Sequence, residues 1–437
     1  MTVRKKMAVI LAAAGLSSAA AWAEPASTDD LQKQIQALQE QVKELQAQRA
    51  KPAYTAKDVD ATVDSVLHDA DRRSQLLAEG GGFLGGWQDG RFVIRSADGN
   101  YSLSPSIWLQ FRSVTNYNDR KSSEGGNNAD NGFELRRLKL TFEGTAITKD
   151  LYYNFTWATD RKTGNLVNEE AYARYSFADN WAIKAGQYKE MIYQETATSS
   201  KKKLAVDVSL AGQLLFGGDT YSQGVELDYG DHDDSLHALV GFSDGYGSFN
   251  TNFQDPATNP FDFGVYGRVD YKVFGDWKSY ADASALGNKK DLLVVGAGGD
   301  WSQNGDANVY RPAVDAQWET GPFAVFGAFI GRYTDSSAGN NFDWAVLVQA
   351  AYLINSQWEI FGRYDYIKLD NVASGKEDTF HEINAGVNYY LHGHNAKVTV
   401  DVGWLPNGSP STQDAIGVLA NDGNNEFYIR GQFQLVL

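Results

Sequence analysis

Three consecutive lysines, Lys201-Lys202-Lys203, form the densest positive run of the chain beyond its first few residues. They lie in a polar segment, residues 190–219, that is too long for an ordinary loop. An ammonium is a compact point charge, and it attracts phosphate and other anions most strongly where water is scarce. The alternative is a run of lysines on a solvated surface. The sequence leaves both interpretations open.

Basic residues on predicted strands form the second part of this candidate site. Neighbouring side chains on a strand face opposite sides, so alternation from apolar partners separates inward from outward residues. Residues 112–184 place five bases and one acid inward, whereas residues 226–401 place four bases and eight acids there. One wall is therefore expected to be positive and the other mixed. The bases expected to face Lys201 to Lys203 are Arg112, Arg137, Lys139, Arg174, Lys184 and Lys189, and the acids of the mixed wall include Asp315, Asp365, Glu382 and Asp401.

Few residues of the chain could support catalysis or metal binding. Cysteine is absent, which excludes disulfides, thiolate metal ligands and thiol catalysis. His392-Gly393-His394 could bind a metal, but it falls in a predicted tight turn without further ligands, and we favour the turn. Glu169-Glu170 could act as an acid–base pair, but adjacent strand residues are expected to face opposite sides. The sequence predicts no catalytic residue, no metal site and no cofactor.

The composition limits the classes of protein that can position these residues. Among 437 residues, 39 Lys and Arg stand against 55 Asp and Glu, a net charge of −16, so no basic face for nucleic acid is expected. Aromatic residues make up 13% of the chain, and 43 residues are glycine. The mean hydropathy of −0.41 is too low for a helical membrane protein. Many β-strands, in a soluble protein or in a membrane barrel, fit these values.

From residue 91 onward the hydrophobic period is two, which is typical of strands with one apolar side. Asp98-Gly99-Asn100 predicts a tight hairpin turn before the first long strand. Short and long connections then alternate, as in an outer-membrane barrel with tight turns at one end. Treating the poorly alternating residues 276–289 as an extended periplasmic turn gives an even number of strands, sixteen. Long connections are expected at 118–131, 159–169, 190–219, 244–261, 334–341, 371–378 and 406–424.

The predicted fold is all-β: a 16-stranded antiparallel transmembrane β-barrel over residues 91–437, preceded by a short periplasmic helical and coiled-coil segment. A soluble all-β protein is the alternative. Aromatic pairs at strand ends, such as Tyr152-Tyr153 and Tyr389-Tyr390, favour the barrel because aromatic girdles mark membrane interfaces. The last eleven residues, 427–437, alternate up to the apolar terminus, as the final strand of such a barrel does.

The start of the chain has the features of a secretory signal peptide over residues 1–23. A basic start and a short apolar run lead to Ala21-Trp22-Ala23, which fits the small-x-small cleavage pattern. A membrane anchor is the alternative, but the apolar run is shorter than the ~20 residues that a span needs. We expect cleavage of this segment and an outer-membrane location, with the following segment in the periplasm.

Residues 24–50 are expected to form a coiled coil, because apolar residues recur there at heptad spacing without ion-pairing flanks. An amphipathic helix lying on its own protein is the alternative. Residues 51–90 are expected to contain a second helix, over 58–77, and a hinge that includes Gly85-Gly86. The predicted coiled-coil seam is Leu31, Ile35, Leu38, Val42 and Leu45.

Several short motifs resemble the phosphate-selective porin O and P family. The resemblance runs from about residue 90 to the end and is most specific in the first half. It implies a trimeric porin of sixteen strands, in which the third long loop, here residues 190–219, folds into the lumen and anions pass a basic constriction. The motifs are Ser96-Ala97-Asp98-Gly99-Asn100, Arg136-Arg137-Leu138-Lys139-Leu140, Glu143-Gly144, Glu170-Ala171-Tyr172-Ala173-Arg174-Tyr175, Gly186-Gln187-Tyr188-Lys189-Glu190 and the stretch from Glu195 to Ser200.

We therefore expect an outer-membrane porin for passive diffusion of small hydrophilic solutes, with a preference for anions such as phosphate. One alternative is a general or weakly cation-preferring porin whose coiled coil tethers the outer membrane to the cell wall or to a periplasmic protein. A soluble β-rich carbohydrate-active protein is a further alternative. The expected partners are further copies in a homotrimer, outer-membrane lipid and lipopolysaccharide, and small anions.

Overall fold

The computed structural model describes residues 28–49, 83–88, 90–119, 128–253, 261–288, 290–419 and 423–437. The predicted signal peptide, residues 1–23, and the predicted helix at 58–77 lie outside these ranges. The chain divides into two units, residues 1–76 and 77–437. No helix in the described ranges is long and apolar enough to cross a membrane.

In the first unit, helix α1 spans Thr28–Arg49, where the heptad spacing predicts a helix. Ile35, Leu38 and Val42 of the predicted seam are exposed by 53, 60 and 50%. A helix of this length is marginally stable in water unless its apolar side packs against another surface. The association of α1 with further copies stays a prediction.

The second unit contains a closed antiparallel barrel of sixteen strands, which confirms the predicted fold and strand number. Consecutive strands pair from β3 to β18, and β18 pairs with β3 to close the barrel. Closure leaves no open sheet edge, as a membrane-spanning sheet requires. The barrel strands are β3 (Ser102–Asn118), β4 (Ala129–Ala146), β5 (Thr148–Thr159), β6 (Leu166–Ala178), β7 (Trp181–Tyr188), β8 (Ser222–Tyr229), β9 (Leu236–Ser243), β10 (Phe263–Phe274), β11 (Leu292–Asn304), β12 (Ala307–Thr320), β13 (Phe323–Ser336), β14 (Gly339–Leu353), β15 (Trp358–Lys368), β16 (Thr379–His392), β17 (Ala396–Leu405) and β18 (Glu426–Val436).

A short hairpin precedes the barrel, formed by β1 (Phe83–Gln88) and β2 (Arg91–Ser96). β2 leads into β3 through the predicted turn, with Gly99 at φ +73°. The prediction of a hinge at Gly85-Gly86 is wrong, because both residues lie in β1 and pair with β2. Glycine keeps both backbone hydrogen-bonding groups, so a partner strand can hold it extended.

The connections differ between the two ends of the barrel. The end that carries the C-terminus is the short-turn end, and its connections are short with one exception. The exception joins β10 to β11, and we call it T4 (residues 275–291); it contains helix α4 (Trp277–Tyr280). At the opposite, long-loop end, the prediction of a long connection at 334–341 is wrong, because β13 and β14 pair as far as Ser336 and Gly339. The polar residues there indicated a loop, but polar side chains also fit a strand whose two faces meet water.

Candidate functional site

The connection between β7 and β8, which we call L3 (residues 189–221), folds into the barrel. It carries two short helices, α2 (Gln194–Ala197) and α3 (Leu210–Phe216). Tyr193 and Leu210 are fully buried, in one cluster with apolar residues of β13, β14 and β16. A loop that starts on β7 reaches those strands only by crossing the lumen, so L3 occupies part of the barrel interior.

Wall carboxylates hold the backbone of L3. Four L3 amides each donate a hydrogen bond, of 3.0–3.2 Å, to a carboxylate on β12, β15, β16 or β17. All four carboxylates are at least 98% buried. Two of the amides belong to the first turn of α3, where N–H groups have no partner within the helix. These four acids of the mixed wall are therefore covered by L3. The pairs are Gln194 with Asp315, Val206 with Asp401, Leu210 with Glu382 and Ala211 with Asp365.

Asp207, near the middle of L3, is the counter-ion of three arginines. Its buried carboxylate contacts Arg112, Arg136 at 2.9 Å and Arg137 at 3.2 Å. Burial by itself would raise the pKa of Asp207, but the three positive charges outweigh burial and hold the pKa below its usual range. Arg137 also pairs with Asp219 at 2.8 Å. Arg112 and Arg137 are thus already neutralised, and they anchor L3.

Two β-bulges turn additional charged residues inward. The register between β3 and β4 shifts at Arg136, which has no residue opposite it, and this residue then reaches Asp207 beside Arg137. The register between β5 and β6 shifts in the same way at Glu169. The prediction that Glu169 and Glu170 face opposite sides is wrong: Glu169 pairs with Lys139, and Glu170 lines the lumen. Alternation assumes an unbroken strand, so it cannot locate a bulge.

The lumen beside β3 to β7 contains a cavity of about 330 Å³. Two carboxylates, Glu143 and Glu170, line it together with four lysines. Three of these lysines pair with carboxylates, whereas Lys201 forms no ion pair within the described part of the chain. The lining lysines are Lys139, Lys184, Lys189 and Lys201.

Aromatic rings that the sequence analysis did not single out hold several of these lysines. Lys139 and Lys201 place their Nζ atoms 4.9 and 5.4 Å from the centroid of the Trp108 ring. The Nζ of Lys184 lies 4.1 Å from the centroid of Tyr188. Such contacts stabilise an ammonium. Lys139 and Lys184 also pair with carboxylates, whereas Lys201 has the ring contact without an ion pair among the described residues. The sequence signal that could have identified these rings is alternation, which places aromatic residues as well as lysines on the inward side of the strands.

The lysine triplet is dispersed rather than concentrated. Lys201 lines the 330 Å³ cavity, and Lys202 lines a second cavity of about 560 Å³ beside T4, as Arg174 does. Lys203 is buried and donates to the carbonyl oxygen of Glu195. Burial lowers the pKa of Lys203 to about 8, despite the nearby charge of Asp219. The Lys202 N–H donates to the carbonyl oxygen of Ser199, which closes a turn. Successive side chains point in different directions there, so a run of equal charges does not form one site.

Tyr221 marks the boundary between the lysine-lined cavity and a third cavity, of about 270 Å³, at the long-loop end. Its hydroxyl donates to Glu169 at 3.0 Å and accepts from Lys139 at 3.2 Å. Next to it, Asp219 accepts from Lys189 at 2.8 Å. Positive and negative groups therefore alternate where the two cavities meet.

T4 enters the barrel from the short-turn end. Its Ser284 is buried and donates to Glu359 on β15 at 2.6 Å. T4 also meets L3, since the Ala283 N–H donates to the carbonyl oxygen of Lys202 at 3.2 Å. The prediction that this segment contains no strand is confirmed, but the structure places it in the lumen rather than outside the barrel. Its small alanine and serine residues fit beneath L3, and they carry no periodic signal.

The predicted tight turn at His392-Gly393-His394 joins β16 to β17, with Gly393 at φ +53°. His394 contacts Asp282 of T4 at 2.8 Å. Within the described ranges, no group of three or more His, Asp or Glu side chains is arranged to hold a metal ion.

The family model described as phosphate-selective porin O and P matches residues 109–263, which include L3 and the lysine-lined wall. The resemblance to this porin family is confirmed. A comparison with curated proteins finds no match. The family match and the closed barrel indicate an outer-membrane channel rather than an enzyme.

Solved porin structures share the barrel fold. An anion-selective porin from Comamonas acidovorans superposes with a TM-score of 0.55 at 12% identity, covering 77% of this chain and 100% of that chain. Salmonella typhi OmpF in complex with daunomycin gives 0.53 at 16% identity, with 77% and 99% covered. A trimer form of OmpT from Vibrio cholerae gives 0.52 at 11% identity, with 76% and 99% covered. At these identities the likeness shows the fold alone.

Proposed function

We propose that this porin is a passive diffusion channel with a preference for small anions, phosphate among them. The observation that carries the proposal is the division of charge by L3. Wall acids on β12 and β15 to β17 bind the L3 backbone, while the open lumen beside β3 to β7 is lined by four lysines against two carboxylates. Three of these lysines pair with carboxylates, and Lys201 has no ion pair among the described residues. In a narrow space with low-dielectric walls, ammonium groups that line the path concentrate anions.

Selection in this proposal has two parts. The lysines offer several neighbouring sites of moderate strength, between which an anion can move without being trapped. The boundary at Tyr221, with Lys139 and Glu169, limits solute size and removes part of the hydration shell. Diffusion is then passive and follows the concentration gradient. Arg112 and Lys203 support the constriction from behind and do not contact the solute, whereas Arg137 also lines the third cavity.

Removing lysine charge from the cavity is expected to weaken the anion preference. In planar bilayers with a KCl gradient, the wild-type zero-current potential should have the sign of chloride permeation. The double variant Lys139→Gln and Lys201→Gln should move it toward zero, because two of the four lining lysines lose their charge. Lys162→Gln is the control, since that side chain is 68% exposed in a loop. A cation-selective wild-type channel would contradict the proposal.

We also propose that the porin is a homotrimer whose α1 helices pack through their apolar seam in the periplasm. The support is the exposed seam of α1, together with its heptad spacing. A seam of this kind is buried once two or three copies associate.

Breaking the α1 seam is expected to abolish or weaken trimers while leaving the barrel folded. Leu38→Asp places a charge at the centre of the seam, where the leucine is 60% exposed in the single chain. Crosslinking and gel mobility without heating would measure the trimer fraction. Lys43→Gln, on the same helix, is the control. If deletion of residues 28–49 leaves trimers intact and instead loosens attachment of the outer membrane to the cell wall, α1 is a tether.

A further inference from the structure

The lysine-lined cavity contains a hydrogen-bond donor that no interaction within the barrel uses. Trp108 lies on β3 with its side chain toward the lumen, and only 8% of the residue is exposed. Its indole Nε1 has no hydrogen-bond acceptor within the described residues. Buried polar groups nearly always have a partner, so an unused buried donor in a transport pathway points to a ligand.

Two further donors lie beside the Trp108 ring. Lys139 and Lys201 place their ammonium groups 4.9 and 5.4 Å from the centroid of the ring. Lys139 is held there by Glu169 and by the hydroxyl of Tyr221. Lys201 has no ion-pair partner among the residues that the structure describes, and its long side chain can therefore move.

The chemistry of these groups defines the ligand that they accept. An indole N–H and an ammonium donate hydrogen bonds and accept none. A cation finds no acceptor in such a cluster. A small oxyanion presents several acceptor oxygens and can meet all three donors at once. Charged acceptors also form the stronger hydrogen bonds.

We propose that Trp108, Lys139 and Lys201 form a binding subsite for a small oxyanion in the permeation path. The indole N–H donates to one anion oxygen, and Lys201 leaves the ring to pair with the same anion. The inference rests on the proposed anion channel and adds a specificity-determining residue to it, because chloride and a neutral solute make less use of the directional indole donor. Trp108 thereby distinguishes oxyanions from other permeating anions.

The test measures the block of chloride current by inorganic phosphate in planar bilayers that contain the full-length porin. Wild-type channels should lose chloride conductance as phosphate is added. Trp108→Phe keeps an aromatic ring under the lysines but removes the N–H, so the half-blocking phosphate concentration should rise about tenfold. Trp404→Phe, on the outer face of β17, is the matched control.

The possible results distinguish a failure of the proposed subsite from a failure of the proposed anion channel. An anion-selective wild type that phosphate blocks equally well in Trp108→Phe overturns the subsite and leaves the proposed function standing. A cation-selective wild type overturns the proposed function itself. If Trp108→Phe does not assemble, Lys201→Ala replaces it, since this side chain has no ion pair to lose. Unchanged phosphate block in Lys201→Ala would overturn the subsite.

Discussion

Replacing Asp207 with asparagine is expected to lower the free energy of unfolding by about 3–5 kcal/mol, the usual result of removing one partner of a buried ion pair. The carboxylate and the guanidinium of Arg112 are both fully buried. In the variant, Arg137 keeps Asp219, whereas Arg136 loses the single ion pair that it forms within the described residues. L3 is then held less firmly at its middle, so single-channel conductance should increase and fluctuate.

The temperature at which the barrel unfolds in detergent measures the loss of stability, and single-channel recording measures the release of L3. Asp233→Asn is the matched control, because the Asp233 side chain is 96% exposed in a turn. The double variant Asp207→Asn and Arg136→Gln should recover part of the stability, since it also removes the unpaired cation. Wild-type stability and conductance in Asp207→Asn would show that Asp207 does not anchor L3.

Deleting residues 281–286 of T4 is expected to enlarge the channel at the short-turn end and to reduce the proposed anion preference. These residues fill the space between L3 and β15, and Ser284 donates to Glu359 there. T4 also supports the L3 backbone at Lys202. Without these residues the buried Glu359 faces water, and negative charge becomes accessible in the lumen beside L3. Conductance should therefore rise while the zero-current potential moves toward cation permeation.

The control for this deletion is a shortened turn between β14 and β15, at residues 354–357, whose residues are exposed. That variant removes residues at the same end of the barrel but none from the lumen. The comparison is made on both conductance and zero-current potential. If the T4 deletion behaves like the control, T4 does not limit permeation.

Much of the barrel and of its inward residues could be predicted from local patterns. Side chains alternate with a period of two along each strand, so Lys139, Lys184 and Arg174 could be placed inside without any contact information. An even strand number distinguished T4 from a strand, because both chain ends of such a barrel lie on one side. Alternation depends on neighbouring residues, and parity depends on the number of strands, so neither prediction requires knowledge of tertiary contacts.

The environment of each inward residue could not be predicted in this way. Arg112 and Lys139 have the same predicted orientation and charge, but Arg112 is paired with Asp207 while Lys139 borders the cavity. The pairings that decide between them join residues far apart in sequence, such as Asp207 with Arg112. The bulge at Arg136 adds an inward charge that alternation assigns to the outer face.

The chain's sequence by itself determined a sixteen-stranded barrel with a positive stretch and a mixed stretch of wall, because strand periodicity and parity are local. The tertiary structure decided which of those charges meet a solute. L3 crosses the lumen because the acids of the mixed wall satisfy its backbone N–H groups, and T4 supports it from below. Four acids of the mixed wall are buried beneath the loop that they bind, and lysines outnumber carboxylates four to two around the cavity beside β3 to β7.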